Sequence, residues 1–185
     1  MSILDGMPST QEELKAAMEF AVPIVNHAVD QMQLTERQQS VLDLMNEGLS
    51  LADILGITKE HRDALLAQGC RFLQVGEIQK ARDTLVNLYQ LEPHDERVIY
   101  ALGTSFQLEG DFERAGKLYV QFLALDATNP DGFLRLGECF LGAKEYDNAE
   151  HSFDQARALA QKAGNARSLA QAKSMLELVA QRRAQ

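Results

Sequence analysis

The feature of this sequence that most restricts its fold is a pattern that returns every 34 residues. Shifting the chain against itself by that length aligns three glycines, three phenylalanines and three alanines in separate columns. The columns are Gly69, Gly103 and Gly137; Phe72, Phe106 and Phe140; and Ala81, Ala115 and Ala149. Independent columns in a common register predict three copies of one structural unit.

The order of residues inside each unit predicts a pair of antiparallel helices. A small residue, an aromatic residue three positions later and then an alanine resemble the tetratricopeptide repeat. Gly76 and Gly110 fall where the first helix of their units should end, and Lys144 replaces this turn glycine in the third unit. Pro93 follows the second helix of the first unit. We therefore predict an all-α fold, a right-handed α-solenoid of three tandem repeats at residues 62–95, 96–129 and 130–163.

The segments on either side are predicted to be helical and to cap the solenoid, because stacked repeats leave an apolar face at each end. Residues 164–185 form the predicted C-terminal capping helix. Residues 1–61 form the predicted N-terminal segment, with helices near 11–33 and 36–47 that begin at capping boxes on Thr10 and Thr35. Pro23 is expected to kink or split the first of them.

Composition and residue spacing argue against several classes of function. A formal net charge of -9 repels phosphate backbones, so a nucleic-acid partner is not expected. No apolar run is long enough for membrane insertion, and the first residues lack the pattern of a secretory signal. Cys70 and Cys139 lie far apart and the four histidines are scattered, so we expect reduced thiols, no metal and no cofactor.

A second stripe on the first helix of each repeat predicts a peptide-binding groove, since these helices line the inner wall of such a solenoid. Its residues are Asp63, Leu66, Cys70, Leu73, Arg97, Tyr100, Ala101, Thr104, Leu134, Arg135, Glu138 and Leu141. Apolar residues mixed with a few charges suit an extended peptide, and Tyr100 is the favoured anchor. In the alternative interpretation, the four leucines of the stripe simply pack between neighbouring helices.

Catalysis is not expected. The adjacent Glu138 and Cys139, and the pair Asp95 and Glu96, are more typical of solvated helix faces than of catalytic pairs. The sequence contains neither a Gly-rich phosphate loop nor a GxSxG motif. We therefore predict a binding protein rather than an enzyme.

Two segments narrow the class of binding protein: GLSLADILGIT, directly before the first repeat, and GECFLGAKEYDNAEHSF in the third. Over roughly residues 47–180 the chain resembles the class II chaperones of bacterial type III secretion. The resemblance implies a cytoplasmic bacterial chaperone whose concave groove holds a proline- and leucine-bearing extended segment of a hydrophobic translocator protein before export. It also implies a homodimer formed through the N-terminal helices, although residues 1–33 look longer than the family's usual lead-in.

Two other functions fit three tandem repeats equally well. One is a general tetratricopeptide scaffold that joins the components of an assembly, and the other is a regulator that sequesters a transcription factor. A chaperone should make a hydrophobic, membrane-inserting partner soluble, whereas a scaffold should bind a folded partner without changing its solubility.

Overall fold

A computed structural model describes residues 2–8, 10–32 and 34–184, and within these ranges the chain forms ten helices and no strand. The helices are α1 (Gln11–Gln31), α2 (Glu36–Asn46), α3 (Leu51–Ile54), α4 (Lys59–Gln74), α5 (Ile78–Leu91), α6 (Glu96–Leu108), α7 (Phe112–Leu125), α8 (Pro130–Gly142), α9 (Tyr146–Lys162) and α10 (Ala166–Arg183).

Three antiparallel helix pairs form the body of the molecule. Helix α4 packs against α5, α6 against α7 and α8 against α9, and each pair stacks on the next through the α5–α6 and α7–α8 contacts. Helix α10 covers α9 and part of α8 at the C-terminal end. This arrangement confirms the all-α solenoid of three repeats with N-terminal helices and a C-terminal capping helix. The division into residues 1–61, 62–163 and 164–185 remains a prediction.

The glycine column allows the two helices of each repeat to approach closely. A Cβ atom placed on Gly137 would lie 2.6 Å from the nearest ring carbon of Phe153, and one on Gly103 would lie 3.0 Å from the ring of Tyr119. Both aromatic rings are fully buried. The rings therefore occupy the volume that a side chain on the first helix would need, which explains why the repeats carry glycine there.

The turn inside each repeat keeps its geometry even where glycine is missing. Gly76 and Gly110 adopt φ values of 78° and 82°, and Lys144 at the equivalent position adopts a φ of 64°. The Lys144 N–H donates to the carbonyl of Leu141, and the next N–H, of Glu145, donates to the carbonyl of Phe140. These bonds close α8, so this turn tolerates a left-handed lysine, at a cost of about 1 kcal/mol or more.

The N-terminal helices are attached to the repeats mainly at α3. Ala52 is fully buried, and Arg62 of α4 forms ion pairs with Asp53 of α3 and with Glu92 after α5. Helix α1 runs through Pro23 and is not split there. Most of the large apolar side chains on α1 are about half exposed or more, and Phe20 is 74% exposed. None of the described helices is long and apolar enough to cross a membrane.

Candidate peptide-binding groove

The first-repeat part of the predicted groove is an apolar strip on α4. Leu66, Cys70 and Leu73 are half-buried, and each packs on one side against the hydrophobic core. Burial raises the pKa of the Cys70 thiol, so this side chain behaves as a small apolar group at neutral pH. The three residues therefore contribute to the core and still present part of their surface to a ligand.

A charged cluster joins α4 to α6 beside that strip. One nitrogen of the Arg97 guanidinium lies 2.9 Å from an Asp63 carboxylate oxygen, and the other lies 2.6 Å from Asp95. Hydrogen bonds from Lys59 and Arg97 lower the pKa of Asp63. The Arg97–Asp63 pair is partly exposed and adds little stability, whereas Asp95 is mostly buried. Together the two carboxylates fix the guanidinium of Arg97 at the edge of the strip.

Tyr100 of α6 is held by contacts on several sides. Its ring meets the rings of Tyr119 and Phe122 edge to face, at centroid distances of 5.7 and 5.4 Å. Its hydroxyl oxygen accepts a 2.8 Å hydrogen bond from Nε of Arg135, and the Thr104 hydroxyl donates to its carbonyl oxygen. The aromatic side chain is half-buried and preorganised, as expected of an interface anchor.

Glu138 of α8 is the centre of a polar network that links two repeats and α10. One of its carboxylate oxygens accepts 2.8 Å hydrogen bonds from Arg135 and from Gln107, and the other accepts from Gln171 at 3.2 Å. Burial opposes the charge on Arg135, but its bonds to Tyr100 and Glu138 outweigh burial, and the pKa of Arg135 is raised. Arg135 therefore remains charged.

Gln107 and Gln171 were missed by the sequence analysis. Gln107 lies one helical turn beyond Thr104, so extending the α6 stripe by a turn would have included it. Gln171 belongs to α10, where Arg167, Gln171, Met175 and Leu178 recur at helical spacing. Only the way α10 packs on α8 shows that this face meets the third repeat.

Two of the predicted groove residues are buried in the core. Ala101 is 5% exposed and Leu134 is 2% exposed, so neither offers open surface in this structure. Their assignment as ligand contacts remains a prediction that this burial does not favour. Ala101 belongs to the hydrophobic core cluster. Leu134 borders a small cavity of about 70 Å³ together with Arg167 and Gln171 of α10. For Leu134, this burial favours the alternative of packing between helices.

An apolar pocket of about 380 Å³ lies at the third-repeat end of the stripe. Leu141 and Glu138 line it from α8, and Phe112 lines it from α7. Helix α10 supplies Met175 and Leu178. Gly142, Lys144, Tyr146 and Arg182 complete the lining. A concave, mainly apolar pocket of this kind is typical of sites that hold an apolar group.

Known proteins share both the repeat and most of the fold. A tetratricopeptide-repeat family model matches residues 106–173. A type III secretion complex from Aeromonas hydrophila superimposes with a TM-score of 0.72 at 24% identity, covering 79% of this chain and 98% of that chain. The translocator chaperone SycD of Yersinia enterocolitica gives a TM-score of 0.66 at 24% identity, covering 70% of this chain and 97% of SycD.

The similarity to a third structure extends to sequence. PcrH of Pseudomonas aeruginosa, solved with the chaperone-binding region of PopD, is 30% identical with a TM-score of 0.65. The match covers 69% of this chain and 97% of PcrH. The chain belongs to the class II translocator chaperones of type III secretion. Solved complexes of the family include PcrH with the chaperone-binding region of PopB and SycD with a peptide of the translocator YopD.

One curated relative lies outside this chaperone family. The BBSome member BBS4 of Bos taurus is 32% identical over 101 residues, which are 55% of this chain. The chain spans about a fifth of the length of BBS4, since the match covers 20% of it.

Among the described residues, no group of three or more His, Cys, Asp or Glu side chains could hold a metal ion.

Proposed function

We propose that this protein is a cytoplasmic bacterial chaperone that binds an extended segment of a hydrophobic translocator and keeps it soluble and competent for export. The observation that carries the proposal is the inner wall of the repeats. An apolar strip at Leu66 and Leu73 and an apolar pocket at Leu141 flank a fixed polar centre formed by Tyr100, Arg135 and Glu138.

This wall has the two properties that recognition of an extended chain needs. Alternate side chains of an extended peptide point to the same side, so the strip and the pocket can accept apolar residues such as leucine or proline. Arg97, Thr104, Arg135 and Glu138 are held by hydrogen bonds before a ligand arrives. Polar groups that are already ordered lose little entropy when they bind the peptide backbone, which favours affinity.

Binding alone accounts for the chaperone activity, and we propose no enzymatic step, no metal and no cofactor. A translocator carries segments that would aggregate or insert into a membrane too early. A protein that binds the unfolded chain shifts its population away from those states by mass action, without nucleotide hydrolysis. The partner is therefore a protein segment rather than nucleic acid or lipid, and the chaperone itself does not insert into membranes.

We further propose that two copies associate through the N-terminal helices. Helix α1 presents Leu14, Met18, Phe20, Ile24 and Val25 with about half or more of each side chain exposed. A contiguous apolar surface on a helix with so little packing marks an interaction site. Burying this face between two copies would account for its composition.

The scaffold alternative gains some support from BBS4, since that match shows that repeats of this sequence type also occur in a member of a stable complex. Co-expression with a membrane-inserting translocator of a type III secretion system distinguishes the two functions. A chaperone converts the translocator from the pellet to a soluble complex. A scaffold leaves it in the pellet.

A matched pair of variants ties the result to the groove. Leu141→Asp places a charge in the apolar pocket and should return the translocator to the pellet. Leu125→Asp makes the same change at a 44% exposed leucine at the end of α7, on the other helix layer, and should leave the soluble complex intact. Equal solubility with both variants would contradict the assignment of the groove.

A further inference from the structure

Residues 2–7 form a compact turn that packs against the second and third repeats. Within the turn, the backbone N–H of Asp5 donates to the carbonyl of Ser2, and the N–H of Met7 donates to the carbonyl of Leu4, each at 3.0 Å. Gly6 closes the turn with a φ of 84°. Ile3 and Leu4 are half-buried against the hydrophobic core. We call residues 2–7 the strap.

The strap occupies a hollow that the second repeat provides and the other repeats lack. A Cβ atom on Gly116 of α7 would lie 2.9 Å from Cδ1 of Ile3 and 3.6 Å from Cδ2 of Leu4. The positions equivalent to Gly116 in the first and third repeats hold the long charged residues Arg82 and Glu150. Glycine weakens a helix interior, so its presence only where Ile3 packs indicates a surface shaped for an occupant.

A polar contact fixes the strap on the third repeat. The Ile3 backbone N–H donates to a carboxylate oxygen of Glu145 at 2.6 Å. Asp111, the equivalent residue of the second repeat, instead caps its own helix by accepting from the N–H of Arg114. Glu145 caps no backbone N–H of its own helix, α9. One of its carboxylate oxygens accepts from the Asn148 side chain, and the other accepts from the strap.

The docking of the strap is independent of the helix that follows it. The exposed apolar side chains of α1 show that this helix is not packed into the repeats, whereas Ile3 and Leu4 are. The strap therefore binds through its own side chains and backbone. Because it contacts α7 and Glu145, the strap lies beside the stripe on α4, α6 and α8 and does not cover it.

We propose that the surface formed by Phe112, Gly116 and Glu145 is a second docking site, which takes a short turn carrying two adjacent aliphatic side chains. The strap is its intramolecular occupant, and a partner segment of the same chemistry must displace the strap to bind. Phe112 borders both this surface and the apolar pocket of the groove, so the two sites adjoin. The inference does not depend on the identity of the translocator.

The test uses the full chain and a synthetic peptide of sequence SILDGMP, acetylated at its first residue and labelled with a fluorophore at its last. The substitutions Ile3→Ser and Leu4→Ser release the strap and should allow the peptide to bind, as measured by fluorescence anisotropy. The unmodified chain should bind it at least about tenfold more weakly, because its own strap fills the site at a high effective concentration.

Further substitutions in the released chain locate the site. Gly116→Gln fills the hollow and should abolish binding, whereas Lys117→Gln, the same new residue one position along α7, should not. Glu145→Ala should weaken binding several-fold without unfolding α9, which circular dichroism checks. The inference is overturned if the released chain does not bind the peptide at millimolar concentration, if the unmodified chain binds it equally well, or if Gly116→Gln has no effect.

Discussion

Replacing Gly137 by alanine tests the repeat packing most directly, because the new methyl group has nowhere to go. Three ring carbons of Phe153 lie 2.6, 2.8 and 2.9 Å from the position of the added Cβ, and the ring is fully buried. Overpacking a core costs about 1–3 kcal/mol, and contacts this short belong to the upper half of that range. Alanine recovers about 1 kcal/mol through its higher helix propensity.

The net expectation for Gly137→Ala is a loss of about 1–2 kcal/mol in the free energy of unfolding. For a chain of this size that corresponds to a decrease of about 2–8 °C in Tm. Far-UV circular dichroism during heating measures the shift, and urea unfolding gives the free energy independently.

Gly116→Ala is the matched control. Its new methyl group meets the end of the Ile3 side chain, which can move, and not a buried ring. The repeats should then retain their stability or gain up to about 1 kcal/mol from helix propensity. An unchanged or higher Tm for Gly137→Ala, or equal shifts for the two variants, would refute the argument that the glycine column is set by the aromatic rings.

Three further predictions concern the groove and the core. The double substitution Leu66→Ala and Tyr100→Ala should weaken binding of a translocator segment by about 2 kcal/mol or more in calorimetry while helicity stays intact. Glu138→Ala should lower the free energy of unfolding in urea by about 2–3 kcal/mol, because it leaves Arg135 without its carboxylate partner. The control Glu113→Ala, at an exposed glutamate, should lower it by less than about 0.5 kcal/mol. Burial raises the pKa of the Cys139 thiol to about 12. The folded state therefore keeps a thiol proton that the unfolded state loses above pH 9, so the free energy of unfolding falls as pH rises. Between about pH 9 and 11 this fall should be less steep in Cys139→Ala than in the unmodified chain.

Local rules account for the parts of the fold that the sequence predicted well. The capping boxes at Thr10 and Thr35 form as expected, with both reciprocal hydrogen bonds present. The turn after α8 forms although Lys144 replaces glycine, because the register of the neighbouring repeats dictates where that helix must reverse. Helix pairs, turns and caps depend on residues close in sequence, and for these the pattern was sufficient.

The groove was predicted less completely because it depends on how separate elements pack. A helical stripe shows which residues share a face, but it does not show how far the next element covers that face. Ala101 and Leu134 belong to the stripe and are nevertheless buried in the core, and α10 lies beside Leu134. Gln171 joins the network around Glu138 for the same reason. Which face of α10 packs against α8 is a property of the tertiary structure, and the sequence of a single repeat does not determine it.

Glycines that the repeats do not share mark some of these tertiary contacts. Gly116, Gly132 and Gly142 lie within helices, and the equivalent positions of the other repeats carry larger side chains. A Cβ on Gly132 would lie 2.8 Å from the ring of Phe122 in the preceding helix, and one on Gly142 would collide with the ring of Phe112. Each helix glycine costs about 1 kcal/mol relative to alanine, so an isolated one needs a compensating contact. At Gly132 and Gly142 that contact joins successive repeats, and at Gly116 it is made by Ile3 of the strap. Positions at which only one repeat carries glycine therefore mark the junction between repeats and the strap site, just as the positions at which all three carry glycine mark the packing inside each repeat.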